Sequence, residues 1–247
     1  DTQIKTVYYK GSFDQWVNID YINESNPMAY VDKFYMLDEN NNWYEPTKMV
    51  LSDNVSVIKQ NAYYYNSLIT DIEFSSSIKE IHEHAFAGCE NLENVYYRGT
   101  LEDWSHINFY DNYSNPMYYA SNLYVLDENN NWIFANELYV SNGETEIGRH
   151  QFYNLSSLRN VYIPTSITKI NECAFSNCTN LNSLYYYGTY DEFLLRIEDV
   201  LNDVENLLSG KYDDIDESKF LFIGKFIIAQ QSHFFNIFSC CITKRPW

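Results

Sequence analysis

Glycine is scarce in this chain, eight residues of 247, and none of them builds the Gly-rich loop that cradles a phosphate. The nucleophile elbow G-x-S-x-G is absent, and no Ser, His and Asp follow one another in an order that reads as a triad. Carboxylates are plentiful, yet nothing in their spacing singles out a glycosidase pair. No catalytic residue and no cofactor is assigned, and the chain reads as something other than an enzyme. Basic residues are also few: 16 Lys and Arg stand against 34 Asp and Glu, a formal charge of −18. That balance repels nucleic acid and anionic membrane surfaces, so neither is an expected partner.

The five cysteines are odd in number, and they form no C-x-x-C pair and no Cys/His spacing suited to zinc. Neither a disulfide framework nor a metal centre is expected. His82 and His84 in HEHAF lack a third ligand at metal spacing and are read as turn residues. No apolar leader opens the chain, because residues 1–6 are polar and a strand-like run begins at Val7; either the protein is cytoplasmic or the leader is missing. Residues 220–242 are apolar but broken by Lys225, Gln230, Gln231, His233 and Asn236, each costly in hydrocarbon. No LPxTG-type sorting signal precedes them, and an anchor ahead of Lys244 and Arg245 is the single membrane contact left open.

What the chain does have is repetition. LDENNNW occurs at 37–43 and at 126–132, 89 residues apart. VYYKGSFDQW at 7–16 matches VYYRGTLEDW at 95–104, and LYYYGTYDEF at 184–193 starts a third copy. A shorter period lies inside each copy. SIKEIHEHAFAGCENLENV at 77–95 matches SITKINECAFSNCTNLNSL at 166–184, while Ile58 and Ile81, like Ile147 and Ile170, are 23 apart. A unit of that length cannot bury its apolar face alone, so neighbouring units must stack into one core. The predicted fold is an α/β leucine-rich repeat solenoid with a parallel sheet of short strands, inserted helix/hairpin modules and a C-terminal helical tail.

AFAGCENL at 85–92, AFSNCTNL at 174–181 and VYIPTSITKI at 161–170 resemble the BspA-like leucine-rich repeat family, and the resemblance covers residues 1–193. It implies a surface or secreted protein that binds other molecules. GTLEDW at 99–104 followed by SNPMYYASNLYV at 114–125 looks like an insertion between such repeats. Gln151 departs from the pattern by replacing Ala before Phe152, and Asn66 stands where Cys89 and Cys178 stand. Repeat phase puts Ile4 at the place of Leu92, which predicts that the chain starts inside a repeat. The expected organisation is a solenoid over 1–193, made of two supermodules of 88–89 residues truncated at the N-terminus, then a non-repeat tail over 194–247.

Local chemistry refines this picture. LDENNNW lies between apolar runs, and Asp and Asn there favour a turn, since they tolerate left-handed backbone and bond their own main chain. A calcium loop would need a Gly where Trp43 stands. Thr100 with Asp103, and Thr189 with Glu192, are capping boxes that start short helices, placing Trp16 and Trp104 in a first turn packed on the flank. Cys89 and Cys178 share a repeat position that Leu155 also fills, which marks them as core residues too far apart for a disulfide. Phe86, Leu92, Val95, Phe175, Leu181 and Leu184 are expected to form one continuous core. From Phe193 to Leu208 the apolar residues follow helical spacing until Gly210, the pattern of an amphipathic cap.

Tyrosine is abundant, 24 residues. Along each strand the residues flanking a central position point inward, so the central one points out. That position reads Tyr8, Val50, Glu73, Tyr96, Tyr139, Tyr162 and Tyr185, an exposed ladder if the strands stack in sequence order. Tyr8, Tyr96, Tyr139, Tyr162 and Tyr185 are the candidate partner-binding residues, because Tyr offers contact area and a hydroxyl at low entropy cost. Aromatic residues that stack on one another for stability are the competing account. The expected function is a non-catalytic binding or adhesion module of a cell-surface or secreted protein, with a protein or glycan ligand. A non-catalytic arm of a larger secreted hydrolase and a structural spacer are the alternatives.

Overall fold

A computed structural model of the chain describes residues 4–22, 25–171 and 173–187, together with the backbone of two further strands at Phe220–Ile223 and Phe226–Ala229. The helix expected over 193–208, the capping box at Thr189 and Glu192, and Cys240 and Cys241 lie outside the described residues. The chain divides into two compact units, residues 1–134 and 135–247.

The first unit begins with β1 (Thr6–Tyr9), the single-turn helix α1 (Phe13–Trp16), β2 (Lys33–Leu37) and β3 (Trp43–Tyr44). It continues with β4 (Lys48–Val50), β5 (Val57–Ile58), β6 (Asp71–Ser75), β7 (Glu80–Ile81), β8 (Asn94–Arg98) and α2 (Leu101–Trp104). β9 (Asn108–Phe109), β10 (Asn122–Leu126) and β11 (Trp132–Phe134) complete it. β4, β6, β8 and β10 run parallel and in register, so Met49, Ile72, Val95 and Leu123 form one buried row. β5, β7 and β9 make a second, narrower sheet. The coils that carry β4, β6 and β8 therefore contribute one strand to each sheet and turn between them, as expected of a unit that buries its apolar side only by stacking.

The turn after each narrow strand is the A-F segment. It places two residues per coil in left-handed backbone: Asn61 and Tyr65, His84 and Gly88, His150 and Asn154, Cys173 and Asn177. At Gly88 a side chain would not fit, for a Cβ there would lie 2.7 Å from the Tyr65 ring of the preceding coil. Adjacent coils are joined at these turns by main-chain bonds such as Tyr63 N–H to Ala85 O and Phe152 N–H to Ala174 O, both 2.8 Å.

GTLEDW and SNPM prove to be a coil of the solenoid in their own right. α2 opens with the expected reciprocal cap: Thr100 Oγ1 accepts from Asp103 N–H at 3.0 Å and Asp103 Oδ2 accepts from Thr100 N–H at 2.8 Å. Ser12 and Gln15 do the same for α1. Trp16 and Trp104 are buried, and Trp16 Nε1 donates to Ala62 O at 3.0 Å. The chain then supplies β9 and β10 to the two sheets, so the segment is a longer coil and not an excursion from the stack. A search for a 23-residue period passes over it because Asn94 and its partner Asn122 are 28 apart.

LDENNNW closes a hairpin. Asp38 Oδ1 accepts from the N–H groups of Asn40 and Asn42, each at 2.8 Å, and Asn41 takes φ 61°. Asp127, Asn129, Asn131 and Asn130 repeat the arrangement. Hydrogen bonds from Asn42, backbone first, hold the Asp38 carboxyl below its ordinary value, and Asn131 does the same for Asp127. The turn sends β3 back antiparallel to β2, and β11 back antiparallel to β10.

The second unit comprises β12 (Glu137–Tyr139), β13 (Glu146–Ile147), β14 (Asn160–Ile163), β15 (Lys169–Ile170) and β16 (Ser183–Tyr186), then β17 (Phe220–Ile223) and β18 (Phe226–Ala229). β12, β14 and β16 are parallel; β18 adds antiparallel to β16, and β17 to β18. Of the six expected core residues, Phe86, Leu92 and Val95 are buried in the first unit and Phe175, Leu181 and Leu184 in the second.

Cys89, Cys173 and Cys178 are free thiols. Cys89 Sγ donates to Tyr63 O at 3.0 Å and Cys178 Sγ to Phe152 O at 3.1 Å. Burial raises both, pushing Cys178 up to about 12, so these thiols pack and bond to the coil before them and are not poised as nucleophiles. Asn66 at the same position accepts from Leu68 and Ile69 N–H instead, while Gln151 Oε1 accepts from Gly148 N–H at 2.6 Å.

His150 carries a pH dependence. It is buried in left-handed backbone, and desolvation, then the charge of Arg149, lower its pKa from 6.5 to about 4. The unfolded chain takes up this proton first, so the stability is complete above pH 6.5 and is lost as pH falls towards 4. His150→Asn, a residue that tolerates left-handed backbone, is expected to remove about 2 kcal/mol of that loss. Urea unfolding at pH 6.5 and 4 checks this; an identical loss in the variant refutes the assignment.

Candidate functional site

The outward sides of the broad sheets carry the expected tyrosines, and the alternation holds: Val95 and Tyr97 are buried while Tyr96 between them is half-exposed, as Tyr162 is between Val161 and Ile163. The single ladder is corrected. Tyr8 stands beside Tyr35 on β2 rather than beside Val50, because the hairpin ending in β3 closes the first sheet and β4 begins another. Tyr96 is followed in register by Tyr124 on β10, a position missed along with Tyr35 because both lie on the longer coils. Their signal was the alternation in KFYML and NLYVL.

Three stacks result. Tyr8 and Tyr35 have ring centroids 5.0 Å apart, and Trp43 meets Tyr8 edge-on at 5.1 Å. Tyr96 and Tyr124 stack at 4.8 Å, Trp132 meets Tyr96 edge-on at 5.4 Å, and Phe134 lies 4.5 Å from Tyr124. In the second unit Tyr139, Tyr162 and Tyr185 stack at 4.2 and 4.5 Å, with planes within 3° and 7°.

The rings are not equivalent. Tyr96 has Tyr124 on one side and the Lys48 ammonium 4.4 Å from its centroid, so both of its faces are engaged. Tyr162 lies between Tyr139 and Tyr185, and desolvation, followed by the hydrogen bond with Tyr139, raises its hydroxyl pKa. Tyr8 and Tyr139 begin their stacks and are 60% and 55% exposed.

Polar residues on the same sides are held by one another. Asn122 Nδ2 donates to Asn94 Oδ1 and Asn94 Nδ2 to Asp71 Oδ1, each at 2.9 Å. Asn160 Nδ2 donates to Glu137 Oε1 at 2.9 Å. Glu73 receives Lys48 at 2.7 Å and Arg98 at 2.6 Å; burial alone would raise its carboxyl, but these two bonds leave it below its ordinary value. The two histidines of HEHAF take separate partners. His82 Nε2 lies 3.2 Å from Glu80 Oε2 and its ring packs on Tyr110, while His84 Nδ1 lies 3.4 Å from Asp111 Oδ2. Such a surface can present hydroxyls, amides and ring edges to a partner.

A leucine-rich cell surface protein from Faecalibacterium prausnitzii A2-165 is similar at 18% identity, covering 77% of this chain and 50% of that one, with a TM-score of 0.36. A leucine-rich repeat protein from Bacteroides ovatus is 20% identical over 56% of this chain and 30% of its own length, TM-score 0.33. One from T. pallidum is 17% identical over 72% and 94%, TM-score 0.33. The chain thus spans half the length of the first of these relatives and under a third of the second. The model of the BspA type leucine-rich repeat region matches residues 9–116 and 145–194 in six copies. The chain belongs to the BspA-type leucine-rich repeat family.

Proposed function

We propose that the chain is a non-catalytic binding module of a cell-surface or secreted protein, which recognises a protein or glycan through the outward sides of its broad sheets. The observation that carries this reading is the exposure of Tyr8 and Tyr139, large rings left half in water, each at the start of its stack. A ring held by a stacked neighbour on a rigid strand loses little freedom when a partner covers it, which favours its use in recognition. Family membership supports the surface or secreted placement. The spacer reading draws on the same stacks, since Tyr162 between two rings is a stabilising element.

Substitution separates these roles. Labelled chain carrying both Tyr8→Ser and Tyr139→Ser is expected to lose about tenfold or more of its binding to protein and glycan arrays, the effect of removing two contact anchors. Its melting temperature should stay near that of the parent, whereas Tyr162→Ser should lower it. Undiminished array binding by the double variant would place recognition elsewhere.

A further inference from the structure

Asparagine is a chemically labile residue, because the backbone nitrogen that follows it can attack its side-chain amide. In most exposed turns of this chain that nitrogen is held by a hydrogen bond. Asn42 and Asn131, which follow Asn41 and Asn130, donate their N–H groups to the Asp38 and Asp127 carboxylates at 2.8 Å. Asn41 and Asn130, which follow Asn40 and Asn129, donate theirs to Asp38 O and Asp127 O at 3.0 Å. Val55, which follows Asn54, donates to Ser52 O at 3.3 Å and is itself buried.

Asn142 and Gly143 differ on each of these points. They form the single Asn-Gly dipeptide of the sequence, and both are exposed in the turn after β12. Glu144 N–H closes that turn on Ser141 O at 3.1 Å, which leaves Gly143 N–H one long bond of 3.5 Å to Ser141 Oγ. The Asn142 amide makes no hydrogen bond among the described residues. A Cβ at 143 would meet nothing nearer than Ser141 Oγ at 4.0 Å, so the space around the attacking nitrogen is open. The corresponding turn of the first unit has Asp53 and Asn54 at these two places and offers no such pair.

We propose that Asn142 is a self-modifying site, which loses its amide to the Gly143 backbone in the folded protein. Gly143 N gives its proton to hydroxide and attacks Asn142 Cγ. The new N–Cγ bond closes a five-membered succinimide as the Cγ–Nδ2 bond breaks, and the amide nitrogen leaves as ammonia with a proton from water. Water then opens the ring. Hydrolysis at Cγ leaves aspartate on the original main chain; hydrolysis at the α-carbonyl leaves isoaspartate, whose main chain runs through the former side chain and is longer by one methylene. Water is the sole co-reactant. Either product adds a carboxylate to a molecule whose formal charge is already −18. The isoaspartate form also lengthens a turn whose two ends are fixed by the pairing of β12 with β14 and of β13 with β15.

Incubation of the full chain in heavy-oxygen water at neutral and mildly alkaline pH, followed by peptide mapping by mass spectrometry, tests this. Labelled product should appear first at position 142 and form faster at the higher pH, where the attacking nitrogen is more readily deprotonated. Its rate should lie within about tenfold of that of a synthetic peptide with the sequence of residues 138–147. Gly143→Ala should slow conversion by about tenfold or more, since the added methyl crowds the closing ring. That variant should keep the parent melting temperature, because its Cβ meets open space in the folded turn. Asn142→Gln, which would have to close a six-membered ring, should stop the reaction. Label appearing at Asn41, Asn54 or Asn130 ahead of Asn142 overturns the assignment, as does a folded chain that converts more than about tenfold slower than the peptide. Undiminished conversion in Gly143→Ala overturns it as well.

Discussion

Replacing Phe175 by Ala is expected to cost about 3–5 kcal/mol, the usual range for truncating a buried phenylalanine. Phe175 is buried and stacks on Phe152 of the preceding coil, centroids 5.3 Å apart and planes within 12°. Tyr63 and Phe86 repeat this pair in the first unit at 5.2 Å. The side chain also lies in the turn whose neighbouring residue Ala174 accepts the Phe152 N–H, so the cavity would open where two coils are joined. A one-dimensional stack cannot redistribute that loss over many neighbours, since each coil contacts only those beside it. Urea denaturation followed by circular dichroism should show the midpoint falling sharply. Phe175→Leu, which keeps most of the volume, should cost about 1–2 kcal/mol. An unchanged midpoint for the Ala variant would mean that the A-F residues do not carry the core.

Asn26→Ala is expected to cost about 2–4 kcal/mol, the sum of a few buried hydrogen bonds lost with one group left unsatisfied. Asn26 is fully buried at the start of the 3-10 turn Pro27–Tyr30. Its Oδ1 accepts from Met28 N–H at 3.0 Å, and its Nδ2 donates to Asn61 O at 2.9 Å and Ala62 O at 2.7 Å. Tyr64 N–H still reaches Asn61 O, and Trp16 Nε1 still reaches Ala62 O, so the Met28 N–H is the group that Ala would strand. Asn26→Asp should be no better, because a carboxylate cannot donate to the two carbonyls and would be charged in the core. Thermal unfolding with the parent midpoint for either variant would remove Asn26 from the coil-to-coil contact.

Much of this molecule follows from its sequence because a repeat protein states its core many times. Apolar residues at a fixed 23-residue interval leave one economical arrangement, stacked coils, and the alternation around Tyr96 and Tyr162 set which side of each strand meets water. Local hydrogen bonding was legible as well: Asp38 and Asp127 form turns, and Thr100 with Asp103 caps a helix, because these bonds join residues within four positions. Other features were decided by contacts between distant positions. Whether Tyr8 adjoins Tyr35 or Val50 depends on where a sheet ends, and that is set by the hairpins at β3 and β11, not by the spacing of the tyrosines. The coil containing SNPM escaped the period because strand pairing tolerates a longer connection, 28 residues against 23, as long as the strand arrives in register. The placement of Trp132 beside Tyr96, across an intervening strand, and the pairing of both Lys48 and Arg98 with Glu73 exist only once separate coils lie side by side. Sequence determines which residues face outward because that is a property of one strand. Which of them touch is a property of several strands, so only the tertiary structure decides it.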